Sequence, residues 1–311
     1  MTEQDKIESR KLFNGIAVII DDEIAKEDSG IVEIAKQLDE QQIPTLKLSE
    51  IPPQPEEFAQ NLYGVSILIV DWKFNPLSSA DKASGVTLTD TLTAKAESEV
   101  IAFIKAVLEK TYCPVFIFSQ ENTEHINERL REAGLLTDEK KQVRLLIKSK
   151  SALLGGKLFS EINEWTDSNL PIYVLKVWEE AARKSKLAMF ADLESKHHSW
   201  PKVIWDTSRS DHTDPSDELS KTLTNIFANR IAFNCQFEKE QFSGSNGEIP
   251  LEDMRAVLEA ERYISDIASI CKPAPGDLFK VEKDGTVSYL LNIRAQCNLL
   301  HSKKLVFEGI A

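Results

Sequence analysis

Ser66-Ile67-Leu68-Ile69-Val70-Asp71-Trp72 is the stretch whose reading decides the fold of this 311-residue chain. Five apolar or small residues run without alternation into one aspartate, the pattern of a strand covered on both faces. A carboxylate at the carboxyl end of such a strand falls where open α/β sheets place their chemistry. Burying it alone is expensive, so Asp71 calls for a cation or hydrogen-bond donors beside it, or an edge open to solvent.

Working outward, four further segments read as strands. Ile16 to Ile20 ends in Asp21-Asp22-Glu23, and Ile43 to Leu48 is a weaker strand. Pro114 to Phe118 ends at Ser119, and Val143 to Ile147 ends at Lys148. Helical patterns alternate with them: Gly30 to Gln41, Pro55 to Leu62, Glu97 to Lys110, Asn122 to Ala133 closed by Gly134, and Ser149 to Trp165, where Gly155-Gly156 delays the start. Five strands alternating with five helices predict a flavodoxin-like, doubly wound parallel sheet of order 2-1-3-4-5 with right-handed crossovers. An unusually long connection, Lys73 to about Thr93, follows the Asp71 strand, and loops of that length are usually functional or mobile.

In that strand order Asp21, Asp22, Asp71, Ser119 and Lys148 share one edge of the sheet. Asp21, Asp22 and Asp71 are hard oxygen ligands for one divalent cation, Mg²⁺ by preference, and the carbonyl of Lys73 is a further candidate ligand. With repulsion among the carboxylates lowered, Asp71 is placed to attack a phosphoryl group, while Lys148 and the Ser119 hydroxyl hold its oxygens.

These landmarks resemble the receiver domain of two-component response regulators. The matching pieces are Ile19-Ile20-Asp21-Asp22-Glu23, Leu68-Ile69-Val70-Asp71-Trp72, Phe116-Ile117-Phe118-Ser119 and Leu146-Ile147-Lys148. The resemblance covers roughly the first half of the chain. It implies that Asp21 and Asp22 bind Mg²⁺, that Asp71 is phosphorylated, and that Ser119 and Lys148 contact the phosphate. The departures are specific. Ser149 follows Lys148 where receivers usually carry proline, Leu145 stands where an aromatic switch residue is common, and Gln120 follows Ser119 where a small residue usually leaves the pocket open.

Beyond the predicted receiver, residues 1–165, the region 166–311 reads as a mainly helical α+β effector or partner-binding region. It has a helical part over 171–232 and a small α+β unit over 248–311. Long helical patterns run from Pro171 to Leu193 and from Asp217 to Ile231, the latter with Ser216 as its cap, and His197 to Pro215 breaks them. Another helix runs from Leu251 to Ile270, and a hairpin turns at Asp284-Gly285. His197, His198, Asp206, Asp211, His212 and Asp214 cluster in sequence, but at no metal-binding spacing. Cys297, with His301 as the nearest base, reads as a core cysteine before a nucleophile, and Trp178, Trp200 and Trp205 read as core before contact.

The tail, Pro275 to Leu299, is similar to the end of a bacterial group known as response-receiver proteins. That resemblance implies pairing with a histidine-kinase-like or Hsp90-like ATPase, in settings suggestive of phage defence. Net charge of −13, of which −4 lies from Thr166 onward, disfavours a nucleic-acid partner. The charged start lacks a signal-peptide core, no apolar run reaches membrane-span length, and four scattered cysteines suit a reducing compartment, so the expectation is cytoplasmic. Homodimerisation stays open, because receivers pair through faces that a sequence does not reveal.

Three function classes follow: a phosphorylation-responsive receiver controlling the C-terminal region, a pseudo-receiver adaptor that binds its partner without phosphorylation, and a metal-dependent phosphoester hydrolase. The last is discouraged by the lack of a second acid near Asp71 and of a matching histidine.

Overall fold

The computed structural model describes residues 12–74, 90–136, 143–242, 249–262, 276, 278–283 and 285–293. They fall into two compact units, 1–244 and 245–311. The described helices over 170–234 are thus grouped with the sheet in one unit.

In the first unit, β1 (Ile16–Ile20), β2 (Thr45–Leu48), β3 (Val65–Val70), β4 (Val115–Ser119) and β5 (Leu145–Ser149) form one parallel sheet of order β2-β1-β3-β4-β5. Around it lie α1 (Gly30–Glu40), α2 (Pro55–Gln60), α3 (Asp90–Lys110), α4 (Thr123–Glu132) and α5 (Leu158–Asp167). This is the flavodoxin-like architecture. Alternation along the strands divides the core into two layers. Leu68 and Val70 of β3 join Phe103 of α3 and Ile126 of α4 on one face. Ile67 and Ile69 join Ile34 of α1 and Phe159 of α5 on the other. Every residue of β3 from Ser66 to Val70 is buried, as its unbroken apolar run requires.

The chain enters β1 through Gly15, whose φ of +139° is left-handed; an added Cβ would meet Gly64 O and Ser66 Cβ at 3.0 Å. At the same end of the sheet, α6 (Leu170–Lys196) is fastened to it by a buried lysine. Lys176 Nζ donates to Ser66 O at 2.9 Å and to Glu179 Oε2 at 2.9 Å, above the Phe13 ring. A cation this buried is tolerated because carbonyl, carboxylate and ring replace its hydration.

Two more helices follow, α7 (Trp200–Ser210) and α8 (Pro215–Asn234). The segment expected to break the helical pattern is thus largely α7, begun by Pro201 in its first turn. The cap of α8 is Asp214, which accepts from the amides of Ser216 and Asp217, rather than Ser216. Trp178 and Trp205 are exposed, not core, and Trp200 touches the Phe190 ring.

In the second unit, α9 (Leu251–Arg262) is followed by an antiparallel hairpin of β6 (Leu278–Lys283) and β7 (Thr286–Leu291), with Gly285 at φ +75° in its turn. Part of the long connection after Asp71, the end of the helix expected to reach Ile270, Cys297 and His301 lie outside the described residues.

Candidate functional site

Strand register builds the site. Ile20 pairs with Val70, Val70 with Ile117 and Ile117 with Ile147, so the strands finish side by side at one edge. Asp21 and Asp71 each come one residue later, held together by the Asp71 amide donating to Ile20 O at 2.9 Å. Carboxylate oxygens of Asp21, Asp22 and Asp71 lie within 4.8 Å of one another. No other such group of potential metal ligands occurs among the described residues, so the His197–Asp214 cluster does not converge there. Its members serve locally instead: His197 Nδ1 accepts from the Ser199 amide, Asp206 pairs with Lys202, and Asp214 caps α8.

The cation beside Asp71 is Lys150, not Lys148. Lys150 Nζ lies 2.7 Å from Asp71 Oδ2 and 2.7 Å from Asp21 Oδ2, with all three side chains buried. The contact to Asp71 is a hydrogen bond. That to Asp21 Oδ2 is an ion pair at the same distance. Lys148 instead pairs with Glu161 of α5 at 2.7 Å and is partly exposed.

The physical reason lies in strand length and parity. β5 ends at Ser149, two residues beyond the expected end, and Lys148 shares the face of Leu146, against which α5 packs. A 3₁₀ turn, Lys150–Leu153, then redirects the chain and brings the next lysine over the strand ends. The sequence Lys148-Ser149-Lys150 offered both candidates, and the unrecognised turn separates them.

Gln37 of α1, which sequence reasoning missed, fixes that turn. Its Nε2 donates to Leu153 O at 2.9 Å, and its Oε1 accepts from Leu158 N at 2.9 Å, satisfying an otherwise orphaned amide of the first turn of α5. A buried glutamine on a helix face otherwise apolar was the available signal.

The remaining candidates sit at the rim. Ser119 is buried, and its Oγ accepts from Glu121 N at 3.2 Å. Lys73 meets Asp71 through its amide, which donates to Oδ1 at 3.3 Å, and its ammonium pairs with Glu121 Oε1 at 2.6 Å. Lys73 and Glu121 thereby tie the loop after β3 to the loop after β4. Trp72 is buried, and its indole N–H has no acceptor among the described residues.

Burial pushes the Asp71 carboxyl up to about 6; Lys150 opposes this and the Asp21 charge adds to it. At neutral pH Asp71 is therefore mainly ionised, at a cost that a cation relieves. Burial lowers the Lys150 pKa, but the Asp71 and Asp21 charges outweigh it and the net shift is upward. Three carboxylates clustered within 4.8 Å, two of them buried and sharing one ammonium, fit a hard divalent cation. Cys113, one of two free cysteines among the described residues, is buried with its thiol pushed up to about 12 and is no nucleophile.

Lys148→Ala and Lys150→Ala should behave very differently. Losing the partly exposed Lys148–Glu161 pair is expected to cost roughly 1 kcal/mol or less and to leave cation binding intact. Chemical denaturation with and without Mg²⁺ reads both effects.

The site thus belongs to a doubly wound α/β domain of the flavodoxin-like class, with an acidic cluster and a lysine at its carboxyl edge. No protein-family model and no curated protein sequence matches the chain. Among the described residues no helix is long and apolar enough to cross a membrane.

Proposed function

We propose that the sheet domain is a phosphoryl-accepting receiver that controls partner binding by the C-terminal region. The observation that carries this reading is the buried bridge from Lys150 to Asp21 and Asp71, with Asp22 in the same cluster. Asp21, Asp22 and Asp71 would hold Mg²⁺, which when bound neutralises carboxylate charge and polarises a phosphoryl oxygen.

An ionised Asp71 oxygen attacks phosphorus of a phosphohistidine or acyl-phosphate donor. The new O–P bond forms as the donor's P–N or P–O bond breaks, and the leaving group keeps the electron pair. Lys150 exchanges the Asp71 oxygen for a phosphoryl oxygen, and the Ser119 hydroxyl, whose oxygen accepts from Glu121, turns its proton toward another. Phosphate occupancy then acts by favouring one of two arrangements of an element that senses the charge. The donor in this reading is a histidine-kinase-like or Hsp90-like ATPase of a bacterial signalling or defence system.

The adaptor reading has one observation in its favour: the Lys73–Glu121 pair spans the loops between which a donor must enter.

Titration with Mg²⁺ and then beryllofluoride, followed by tryptophan fluorescence, tests the proposal, because Trp72 is buried next in sequence to Asp71. A saturable Mg²⁺ response, a second response to beryllofluoride, and loss of both in Asp71→Asn are expected. Stable partner binding indifferent to Mg²⁺, with no response to either titrant, would establish the adaptor instead.

A further inference from the structure

A second concave site lies at the opposite end of β3. A cleft of about 550 Å³ is bounded by the start of β3, the end of α3 and the flank of α6, within the size range of small-molecule pockets. Ser66, in its wall, and Asp71, just past the end of β3, are five positions apart, roughly 17 Å of extended chain, so the cleft is separate from the acidic cluster.

Its lining combines exposed aromatic rings with cations. Three exposed aromatic rings, Tyr63, Tyr112 and Trp178, line it. The Arg144 guanidinium lies over the Tyr112 ring, 4.6 Å from its centroid. Lys110, Arg183 and Lys186 also line the cleft, in a chain whose net charge is −13. The two acidic side chains present are already neutralised: Glu179 by Lys176 at 2.9 Å, and Glu180 by Arg183 at 2.7 Å. Lys110 and Lys186 have no carboxylate partner among the described residues. On α6, Trp178, Ala182 and Lys186 follow at four-residue spacing on one face. The small Ala182 leaves a trough between indole and ammonium, about 12 Å apart along the helix at ~1.5 Å per residue.

Exposed aromatic rings and cations without a carboxylate partner among the described residues, lining one cleft, are the side chains that recognise a planar base joined to phosphate. We propose that this cleft binds a nucleoside di- or triphosphate, its base stacked on Trp178 and Tyr112 and its phosphates on Lys110 and Lys186. The proposal is independent of phosphoryl transfer at Asp71.

Isothermal titration calorimetry of the full chain with ATP, ADP, adenosine and inorganic triphosphate, in EDTA, tests it. Expected are saturable binding of ATP and ADP, and weakening of about tenfold or more in Lys186→Glu and in Lys110→Glu, consistent with the loss of a charge-assisted contact. Trp178→Ala should weaken ATP but leave inorganic triphosphate unchanged, and Asp71→Asn should bind as the parent does. All substituted cleft side chains are surface groups, and far-UV circular dichroism checks their folding. No binding at millimolar nucleotide overturns the proposal. So does inorganic triphosphate binding as tightly as ATP, or affinity unaltered in both charge variants. Binding of an acidic peptide in place of nucleotide would also overturn it, making the cleft a protein-docking surface.

Discussion

Lys150→Met is expected to lower the stability of the cation-free protein by about 3–5 kcal/mol near neutral pH, the range for removing one partner from a buried ionic group. Lys150 Nζ is the one cation placed 2.7 Å from both Asp21 and Asp71 among the described residues, and neither carboxylate has appreciable access to water. Methionine fills much of the same volume, so the loss reports charge rather than a cavity. Two controls separate this from simple misfolding. Mg²⁺ should restore more stability to Lys150→Met than to the parent, because a cation then replaces the missing ammonium. Lowering the pH should narrow the deficit as the carboxylates take up protons. Urea denaturation at several pH values, with and without Mg²⁺, measures all of this. A deficit below about 1 kcal/mol would mean that water or another cation already compensates the carboxylates.

Asp71→Asn should have the opposite sign. The Asp71 carboxyl is raised from its ordinary value to about 6, so the folded protein binds this proton more readily than the unfolded chain does. The group's contribution is then most favourable below the unfolded pKa near 4, and stability is lost as pH rises through about 6. A displacement of about two pH units corresponds to roughly 3 kcal/mol. Asparagine does not titrate, so Asp71→Asn should be about 2–3 kcal/mol more stable than the parent above about pH 7, with the difference shrinking toward about pH 4. Stabilisation by removing Asp71 is the result expected if the group proposed to accept the phosphoryl is held at a cost to stability. Denaturation midpoints that are equal at both pH values would show that Lys150 balances the Asp71 charge completely, despite burial and the neighbouring Asp21 charge.

Much of this arrangement was legible from residue order. The unbroken Ser66–Val70 run required a strand buried on both faces, and five such segments alternating with helices led to the observed strand order. Asp21, Asp22 and Asp71 followed, because a residue one step beyond a paired strand end has few places to go. Lys150 did not follow. Its position depends on β5 running to Ser149 and on a 3₁₀ turn that Gln37 secures from a distant helix, which no local pattern encodes. The α7 helix was missed because Pro201 and the neighbouring polar residues resemble a linker, although proline in the first turn favours helix initiation. The attachment of α6 to the sheet through Lys176 was equally hidden, since a lysine in a helix reads as surface until its partner Ser66 O is known.

The most direct test of the account is intact mass spectrometry of the full chain incubated with acetyl phosphate, with and without Mg²⁺, beside Asp71→Asn. The account predicts a Mg²⁺-dependent gain of one phosphoryl group, absent from Asp71→Asn and strongly reduced in Lys150→Met but retained in Lys148→Ala. Folded, Mg²⁺-binding protein that gains no phosphoryl group, or one that labels equally well without Asp71, would contradict it.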